Sequence, residues 1–308
     1  MEETKKYAVA VVTRTQNRPL LLPRARESVE TQSFEDRLWV LVNDAGEREP
    51  VEREAAAARA KGLDTLVIHR DKSNGMEAAS NHGIGRTRSE FVAIHDDDDT
   101  WHPDFLAKTV AFLHDNPTFI GVTARCFRVE ETLSEAGPKI IQTTPYNDRL
   151  RAMHLGDMAI QNQFPPISFL FRRSLYEQLG GFDESLPVLG DWDFHLRALL
   201  VGNIGVVPEK LANYHIRERP EGGLGQYGNT ITDGGEMHLL HDSLYRNRKL
   251  REDIEAGRPG IGFLLTMGRM EQHLSQRLDG LSHMLLAAKA VARKLKILGL
   301  MRRLSRSA

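Results

Sequence analysis

The chain has 308 residues and a formal net charge of −1, a balance that excludes a polyanion-binding or polycation-binding role set by overall charge. Apolar residues make up 41% and charged residues 27% of the sequence, as in water-soluble globular proteins of one large domain or two. The single cysteine, Cys126, excludes an intramolecular disulfide and fits a reducing compartment.

The first residues, MEETKKYAVAVVT, do not have the features of a signal peptide. Their apolar stretch is short, acidic residues precede it, and no small-residue cleavage site follows. The sequence contains no run of 18 apolar residues, so it predicts no membrane span. We therefore expect a cytoplasmic protein.

Short apolar runs alternate with helical patterns in the first half of the chain. Strands are predicted at residues 7–13, 37–44, 65–70 and 90–96. Helices are predicted after Pro19 with Asn17 near the cap, before Gly62, over residues 76–87, and after Pro103. This alternation predicts an α/β fold with a mostly parallel central sheet that is flanked by helices.

The second half of the chain is less regular. A strand is predicted at residues 167–173, followed by a short helix that ends at Gly180 and a longer helix over 190–202. Residues 217–235 are rich in glycine and polar side chains, which is typical of a loop or a boundary. From residue 236 the pattern is helical with a break at 256–262. We therefore predict a domain over residues 1–235 and a helical C-terminal extension over 236–308.

Acidic residues follow two of the predicted strands. Asp44 ends the second strand, and Asp96, Asp97, Asp98 and Asp99 follow the fourth. Ligands of open parallel sheets bind beyond the carboxyl ends of the strands, so both groups should face one crevice. Alternation along an extended segment would direct Asp96 and Asp98 to one side. Such oxygen ligands suit Mg²⁺ or Mn²⁺ with a diphosphate as co-ligand, and a solvated acidic turn is the alternative.

The residues around these carboxylates resemble the family 2 glycosyltransferases, whose catalytic domain has the GT-A fold. The similarity covers roughly residues 7 to 215 and consists of five segments in order, VVTRTQNRP, VNDAGE, NGMEAASNHGIG, DDDDTWHPDFL and LGGFDESLPVLGDWDFHLRAL. Four positions depart from the family pattern. Asn43 and Ala45 differ beside Asp44, Ser80 stands where an arginine is common, and Gly190 replaces the glutamate of a Glu-Asp-x-Asp element.

The resemblance implies a nucleotide-sugar donor and a set of residues that bind it. Asp44 would accept a hydrogen bond from the imide N–H of uracil or thymine, because a carboxylate only accepts. Asp96 would hold the ribose hydroxyls. The remaining donor-binding residues implied by the motifs are Thr13, Asn17, Arg18, Asn81 and Asp97. Asp97 and Asp99 could instead support the neighbouring carboxylates or start the next helix.

The resemblance also implies a divalent cation, Mn²⁺ or Mg²⁺, bound by Asp98 and clamping the diphosphate. A cation at this position would stabilise the charge that grows on the leaving phosphate oxygen. His215 would be a further metal or diphosphate contact, or else a structural histidine. Arg217 and Arg219 would neutralise the diphosphate when the glycine-rich loop closes as a lid, or else lie in a solvated loop.

Asp191 matches the general base of the family, which accepts the proton of the attacking hydroxyl. A helix N-terminus favours its ionised form. The alternative is that Asp191 caps a helix beginning at Trp192, and Asp193 is the nearest rival for the base. Trp192 and Gly181 are the residues expected near the acceptor.

The C-terminal extension carries an apolar stripe at helical spacing. It consists of Met267, Met270, Leu274, Leu278, Leu281, Leu285 and Ala288. The stripe predicts either packing on the catalytic domain or association with a second copy of the chain. The last residues, 287–308, contain seven basic and no acidic side chains, which predicts association with an anionic inner-membrane surface. No aromatic platform accompanies these residues, so we expect no nucleic-acid partner.

These features favour a metal-dependent, inverting glycosyltransferase. It would move a sugar from a UDP- or TDP-sugar to a glycan or lipid-linked glycan, in bacterial-type surface polysaccharide assembly. A nucleotidyltransferase is one alternative, although VVTRTQNRPLLL lacks the glycine-rich, lysine-containing element usual in that class. A catalytically silent nucleotide- and metal-binding domain is the other, and Gly190 keeps it open.

Overall fold

The computed structural model describes residues 6–135, 137–217, 222–228, 235–279 and 284. The strands are β1 (Tyr7–Thr15), β2 (Arg37–Asp44), β3 (Thr65–Arg70), β4 (Ser89–Ile94), β5 (Thr100–Trp101), β6 (Phe119–Ser134), β7 (Gly137–Pro145), β8 (Phe169–Arg172) and β9 (Asn203–Ile216). The helices are α1 (Leu22–Glu30), α2 (Arg48–Ala60), α3 (Met76–Gly85), α4 (Phe105–Asp115), α5 (Leu155–Ile160), α6 (Arg173–Leu179), α7 (Gly190–Val201) and α8 (Gly235–Ala256). Residues 261–279 form a further helix.

The strands form one sheet in the order β3-β2-β1-β4-β8-β6-β9-β5, and β7 pairs with β6 outside this path. Pairing is parallel from β3 through β4 and again between β6 and β9. Strand β8 is antiparallel to both of its neighbours, β4 and β6, and β5 is antiparallel to β9. The predicted α/β fold with a central sheet flanked by helices is confirmed, and the sheet is parallel over its first four strands and mixed beyond them.

Both faces of the sheet are buried because the central strands carry apolar side chains at successive positions. Along β1, Val9 and Val11 enter the core beneath α1, α2 and α4, whereas Val12 enters the core beneath α3, α6 and α7. Trp39 and Val40 of β2 divide in the same way. Because successive side chains point to opposite faces of the sheet, burial of both faces determines which side chains at the strand ends point into the cleft.

One helix start differs from the prediction, and another agrees with it. Helix α1 begins at Leu22, three residues after Pro19, because the intervening residues form a turn closed by Leu21 N–H donating to the Arg18 carbonyl at 3.1 Å. Helix α7 begins at Gly190, so Asp191 lies inside its first turn. The N-cap residue of α7 is Leu189, so the predicted alternative in which Asp191 is the N-cap does not hold.

Helix α8 packs on the first domain. Tyr245 is buried in the same core as Trp192 of α7. The Arg246 guanidinium donates to the carbonyl oxygens of Ala159, Ile160 and Leu265 at 2.9–3.2 Å. The predicted boundary at residue 235 therefore coincides with the start of a helix that is joined to the first domain by buried contacts.

The apolar stripe of the C-terminal extension is exposed as far as the structure describes it. Met267, Met270, Leu274 and Leu278 have between 50% and 62% of their surface accessible. The rest of the stripe, Leu281, Leu285 and Ala288, and the basic residues after it lie outside the described residues. In the part of the chain that is described, none of the helices is long and apolar enough to cross a bilayer.

Candidate active site

An open cleft of about 930 Å³ lies at the carboxyl ends of the central parallel strands. Its walls come from the ends of β1, β2 and β4, from α3, and from the start of α7. The predicted site residues that line it are Asn17, Arg18, Asp44, Asp96, Asp97, Asp98 and Asp191. The first and last of these residues, Asn17 and Asp191, are more than 170 positions apart in the sequence, so the fold brings them together.

The four consecutive aspartates do not continue β4 as an extended segment. Asp99 N–H donates to the Asp96 carbonyl at 3.2 Å, which closes a tight turn. The predicted pairing of Asp96 and Asp98 on one side is therefore wrong. Asp97 and Asp98 both accept a hydrogen bond from Nη1 of Arg18, each at 3.1 Å, while Asp96 contacts Arg14.

Two guanidinium groups converge on the Asp98 carboxylate. Its Oδ2 atom accepts hydrogen bonds from Arg18 at 3.1 Å and from Arg217 at 2.5 Å. Burial alone would raise the pKa of Asp98, but these two positive charges outweigh burial and lower it. Asp98 therefore stays ionised over the ordinary pH range.

Glu131 of β6 is the anchor beneath this cluster. Its carboxylate accepts hydrogen bonds from Arg24 at 2.7 Å and from Arg217 at 2.7 Å, and its Oε2 lies 2.9 Å from Nδ1 of His215. The other ring nitrogen of His215 lies 3.1 Å from the Thr100 hydroxyl. Since both ring nitrogens have a partner, this arrangement favours the structural role of His215 over the predicted metal contact.

A short helical turn, residues 222–228, lies over the arginines. The Arg18 guanidinium donates to the carbonyl oxygens of Gln226 at 3.1 Å and Gly228 at 2.8 Å, and Arg217 donates to that of Tyr227 at 2.6 Å. Arg217 is only 2% exposed, so it does not belong to a solvated loop. Arg219 lies outside the described residues.

The opposite wall of the cleft is organised by Arg14 of β1. Its guanidinium donates to Asp96 at 2.7 Å, to the Ser80 hydroxyl at 3.0 Å and to Glu77 at 3.4 Å. Burial raises the pKa of Glu77 to about 7, although Arg14 opposes this shift. One arginine thus serves three polar side chains that come from the end of β4 and from α3.

Of the two acids in α7, Asp191 is the one that lines the cleft. Its Oδ2 accepts a hydrogen bond from Nδ2 of Asn162 at 2.7 Å, and burial raises its pKa. Asp193 is fully buried between Arg197 at 2.7 Å and the Tyr245 hydroxyl at 2.8 Å. Asp191 is therefore available to a ligand in the cleft, whereas Asp193 is part of the buried packing between α7 and α8.

Asp44 is held at the far end of the cleft. Its carboxylate accepts hydrogen bonds from Arg70, at the end of β3, and from the Ser73 hydroxyl at 2.6 Å. A carboxylate has about four acceptor positions, so these two contacts leave capacity for a ligand N–H.

Six predicted site residues among those the structure describes do not line the cleft: His215 and Arg217, whose contacts are given above, and Thr13, Asn81, Gly181 and Trp192. Thr13 accepts a hydrogen bond from the Trp39 indole at 2.8 Å within the core, and the Trp192 indole donates to the Met158 carbonyl at 2.6 Å. Asn81 is bound to the backbone of Phe182, and Gly181, at a φ of 84°, lies against Asn81.

The sequence prediction missed several charged residues of the site. They are Arg14, Arg24, Glu77 and Glu131. One signal was available: Arg14 follows an apolar run directly, at the end of β1 where ligands bind. A second signal is that Glu77 lies within the NGMEAASNHGIG segment, whereas Arg24 and Glu131 lie on a helix and a strand whose local pattern carries no mark of a site.

The donor atoms of the cleft fit a hard divalent cation. Asp97 Oδ2 and Asp99 Oδ2 are buried with no hydrogen-bond partner among the described residues, and burial raises the pKa of both carboxyl groups. Among the described residues, seven acids and four arginines lie in and beneath the cleft. The acids are Glu77, Asp96, Asp97, Asp98, Asp99, Glu131 and Asp191. The arginines are Arg14, Arg18, Arg24 and Arg217. This surplus of carboxyl oxygens suits Mg²⁺ or Mn²⁺.

A cation here would take few protein ligands. Within the described ranges, no group of three or more His, Cys, Asp or Glu side chains is placed to hold a metal ion. Mg²⁺ commonly binds through one or two carboxylates and completes its shell with water and substrate phosphates. The site is therefore suited to a cation that arrives with a phosphate-bearing ligand.

Comparison with known proteins gives relatives of one kind. The family model described as Glycosyl transferase family 2 matches residues 10–180, more than half of the chain. The chain is 28% identical over 191 residues to an uncharacterized glycosyltransferase, YwdF, of Bacillus subtilis, which covers 62% of this chain and 67% of that protein. It is 24% identical over 225 residues to a PGL/p-HBAD biosynthesis glycosyltransferase of Mycobacterium tuberculosis, covering 73% and 80% of the two chains.

Solved structures agree with the fold. The TarS 1-349 fragment of S. aureus in complex with UDP-GlcNAc matches with a TM-score of 0.58 at 19% identity, over 72% of this chain and 61% of that one. The mannosyltransferase PcManGT from Pyrobaculum calidifontis, in complex with GDP-Man and Mn²⁺, matches with a TM-score of 0.57 at 19% identity, over 88% and 71%. At this identity the likeness shows the fold, which is GT-A as predicted. Because the family model matches more than half of the chain, the chain belongs to glycosyl transferase family 2.

Proposed function

We propose that the protein is a metal-dependent, inverting glycosyltransferase. It moves a sugar from a nucleoside-diphosphate donor to a hydroxyl of a glycan or lipid-linked glycan, in bacterial-type surface polysaccharide assembly. The observation that carries this proposal is that Asp44, Asp98 and Asp191, which come from three separate elements, line one cleft of a family 2 fold.

The donor nucleotide binds along the ends of β1, β2 and β4. Asp44 accepts the imide N–H of the base, which favours a UDP- or TDP-sugar. Asp96 accepts hydrogen bonds from the ribose hydroxyls, and Asn17, Arg18 and Asp97 complete the wall. The solved complexes of TarS with UDP and UDP-GlcNAc support a uridine donor, while that of PcManGT with GDP-Man makes a guanosine donor the rival to test.

The diphosphate lies against Asp98, which would hold Mn²⁺ or Mg²⁺. When bound, the cation supplies Lewis-acid stabilisation to the leaving diphosphate. Arg18 and Arg217 bring two further positive charges to the same carboxylate and neutralise the diphosphate. The 222–228 turn, tied to both arginines through its carbonyl oxygens, acts with Arg219 as the lid that excludes water.

Asp191 accepts the proton of the acceptor hydroxyl as that oxygen attacks the anomeric carbon. Burial raises the pKa of Asp191, which makes its carboxylate a stronger base than an exposed one. Its hydrogen bond with Asn162 fixes the orientation of the carboxylate. A single displacement with this base inverts the configuration at the anomeric carbon.

Two assays test this function. In a thermal-shift panel of UDP, TDP and GDP with Mn²⁺, the melting point should rise most with UDP or TDP, because selective binding to the folded state stabilises it. Mn²⁺-dependent hydrolysis of the matching nucleotide sugar should follow. Binding without hydrolysis would support the silent binding domain, and pyrophosphate release from a nucleoside triphosphate and a sugar phosphate would support a nucleotidyltransferase.

We also propose that the C-terminal extension holds the enzyme at an anionic inner-membrane surface. The stripe from Met267 to Leu278 is exposed, and the sequence after it carries seven basic residues and no acidic ones over 287–308. Deleting residues 287–308 should release the protein from anionic vesicles and leave hydrolysis of a soluble donor unchanged. Equal vesicle binding by the full chain and by the shortened chain would overturn this proposal.

A further inference from the structure

Gly190 is a glycine whose backbone does not require one. It is the first residue of α7, and it is not among the glycines with positive φ. A glycine loses more backbone freedom on folding than an alanine does, so its presence here calls for a local cause. The cause is space: a Cβ at position 190 would lie 2.4 Å from Cδ and from Oε1 of Glu77.

The carboxyl group of Glu77 thus occupies the volume that a side chain at position 190 would fill. Position 190 is where the Glu-Asp-x-Asp element has its glutamate and this sequence does not. Glu77 comes from α3 and packs directly against the start of α7, and only 5% of its surface is exposed. A carboxyl group therefore stands beside Asp191 although the residue preceding Asp191 is a glycine.

A second departure from the family pattern has a matching partner. Ser80 stands where an arginine is common, and its hydroxyl accepts a hydrogen bond from the Arg14 guanidinium at 3.0 Å. The same guanidinium contacts Glu77 at 3.4 Å and Asp96 at 2.7 Å. A glutamate and an arginine are each missing from their usual element, and each charge is supplied by a different element of the same wall.

We propose that Glu77 and Arg14 take over the site functions that positions 190 and 80 lack. Glu77 binds a hydroxyl of the transferred sugar beside Asp191, and Arg14 holds Glu77 in line with Asp96 on the donor side. This assignment rests on the proposed function. It also answers the objection that Gly190 marks a silent site, because the carboxyl group is present and only its point of attachment has moved.

The chemistry of the position suits a sugar hydroxyl. Glu77 lines the cleft between Asp96, on the donor side, and Asp191. The charged groups that face it are Arg14, Asp191, Asp96 and Asp193. A carboxyl group accepts a hydrogen bond from a hydroxyl in either protonation state, so Glu77 can hold the sugar while Asp191 takes the proton.

The melting points of single and double variants at positions 77 and 190 test whether Glu77 occupies the space of a side chain at position 190. This test does not depend on enzyme activity. Gly190→Glu should lower the melting point by about 5 °C or more when Glu77 is present, because two carboxyl groups then compete for one space. In the Glu77→Ala background the same substitution should cost far less. An equal loss in both backgrounds would overturn the claim that Glu77 occupies this space, and Gly190→Ala in both backgrounds separates the steric effect from that of charge.

Donor hydrolysis tests the role of Glu77. With Mn²⁺ and the nucleotide sugar that the wild type hydrolyses, Glu77→Ala should lower kcat on the order of 10²-fold, as expected for a misplaced substrate. Affinity for the nucleoside diphosphate alone should stay unchanged. The double variant Glu77→Ala/Gly190→Glu should regain at least about tenfold of the lost kcat, which a merely structural role would not do.

The outcomes are distinct. A Glu77→Ala variant with wild-type kcat, or a well-folded double variant without recovery, would overturn the assignment of Glu77. A wild-type protein that hydrolyses no nucleotide sugar would count against the proposed function, while the melting points would still decide whether Glu77 occupies the space at position 190. Glu49→Ala, at an exposed position of α2, is the matched control and should change neither the melting point nor kcat.

Discussion

The two walls of the cleft treat their carboxylates in different ways. On one wall, Asp98 receives two guanidinium groups, from Arg18 and Arg217. On the other wall, Arg14 is shared between Asp96 and Glu77, and Asp191 is held by the neutral amide of Asn162. On the first wall, two positive charges contact one carboxylate. On the second wall, three carboxyl groups share the positive charge of one arginine.

The difference appears in the acidities. The arginines lower the pKa of Asp98 against the effect of burial, whereas burial raises the pKa of Glu77 to about 7 and also raises that of Asp191. A carboxylate that stays ionised suits a permanent charge such as a metal–diphosphate pair. Carboxyl groups with raised pKa values suit proton transfer. Under the proposed function, the wall with Asp98 would be the leaving-group side and the wall with Asp191 the transfer side.

The largest effect is expected from Asp98→Ala on the leaving-group side. Mn²⁺-dependent binding of nucleoside diphosphate and sugar transfer should be lost together, with turnover falling by about 10³-fold or more. The protein should still fold, because Arg217 keeps its hydrogen bond to Glu131 at 2.7 Å. Calorimetry with UDP, with and without Mn²⁺, measures the binding.

The matched control is Asp104→Ala, which removes an aspartate with an exposed side chain outside the cleft. It should leave binding and turnover unchanged. If Asp98→Ala still binds nucleoside diphosphate tightly in a Mn²⁺-dependent way, the division between the walls is wrong on its leaving-group side.

The next effect is expected from Asp191→Asn on the transfer side. Nucleotide binding should persist while turnover falls on the order of 10²–10⁴-fold, as for the loss of a general base. Asparagine keeps the size of the side chain and a carbonyl oxygen that can still accept from Asn162. Single-turnover kinetics with saturating donor would isolate the transfer step, and near-normal rates would require another base.

The pH dependence of stability gives a smaller effect on the same wall. The pKa of Glu77 is about 7 in the folded protein and near 4.5 in an unfolded chain, so the folded state binds this proton more tightly. The contribution of protonated Glu77 is full below about pH 4.5 and is lost as the pH rises through 7.

Glu77→Gln removes this titration. Between pH 5 and pH 8 the wild type should lose on the order of 1–3 kcal/mol of unfolding free energy relative to this variant. Urea unfolding across the pH range measures the difference. Glu49→Gln, with an exposed carboxyl group, should run parallel to the wild type. If Glu77→Gln also runs parallel, burial does not control the acidity of this wall.

The leaving-group wall was easier to predict from the sequence than the transfer wall. Asp97, Asp98 and Asp99 follow an apolar strand, and the rule for parallel sheets places such residues in a crevice. The partners of these acids depend on pairing over long distances: Glu131 lies 86 positions before Arg217. No local pattern contains that contact.

The same reason explains the elements that the sequence did not predict. The four parallel strands β1 to β4 are continuous apolar runs between helices, and all were predicted. Strands β6, β7 and β9 were missed, because β7 is mostly exposed and polar and β9 contains Pro208. Their stability comes from neighbouring strands, and Glu131 reaches the site on β6, so a missed strand also meant a missed site residue.

The smallest effect is expected behind the transfer wall, where α8 meets α7. Tyr245 donates its hydroxyl proton to Asp193 at 2.8 Å, and Arg197 contacts the other oxygen of the same carboxylate at 2.7 Å. Tyr245→Phe removes one of the two partners. The expected cost is about 1 kcal/mol of unfolding free energy, since Asp193 keeps its charged partner.

Turnover of Tyr245→Phe should stay within about twofold of the wild type, because Asp193 is buried behind the wall and only Asp191 lines the cleft. Thermal unfolding and kcat, measured on the same preparation, separate the two effects. A fall in kcat comparable to that of Asp191→Asn would show that Asp193 takes part in proton transfer. The wall would then include α8, and the predicted boundary at residue 235 would cut through the active site.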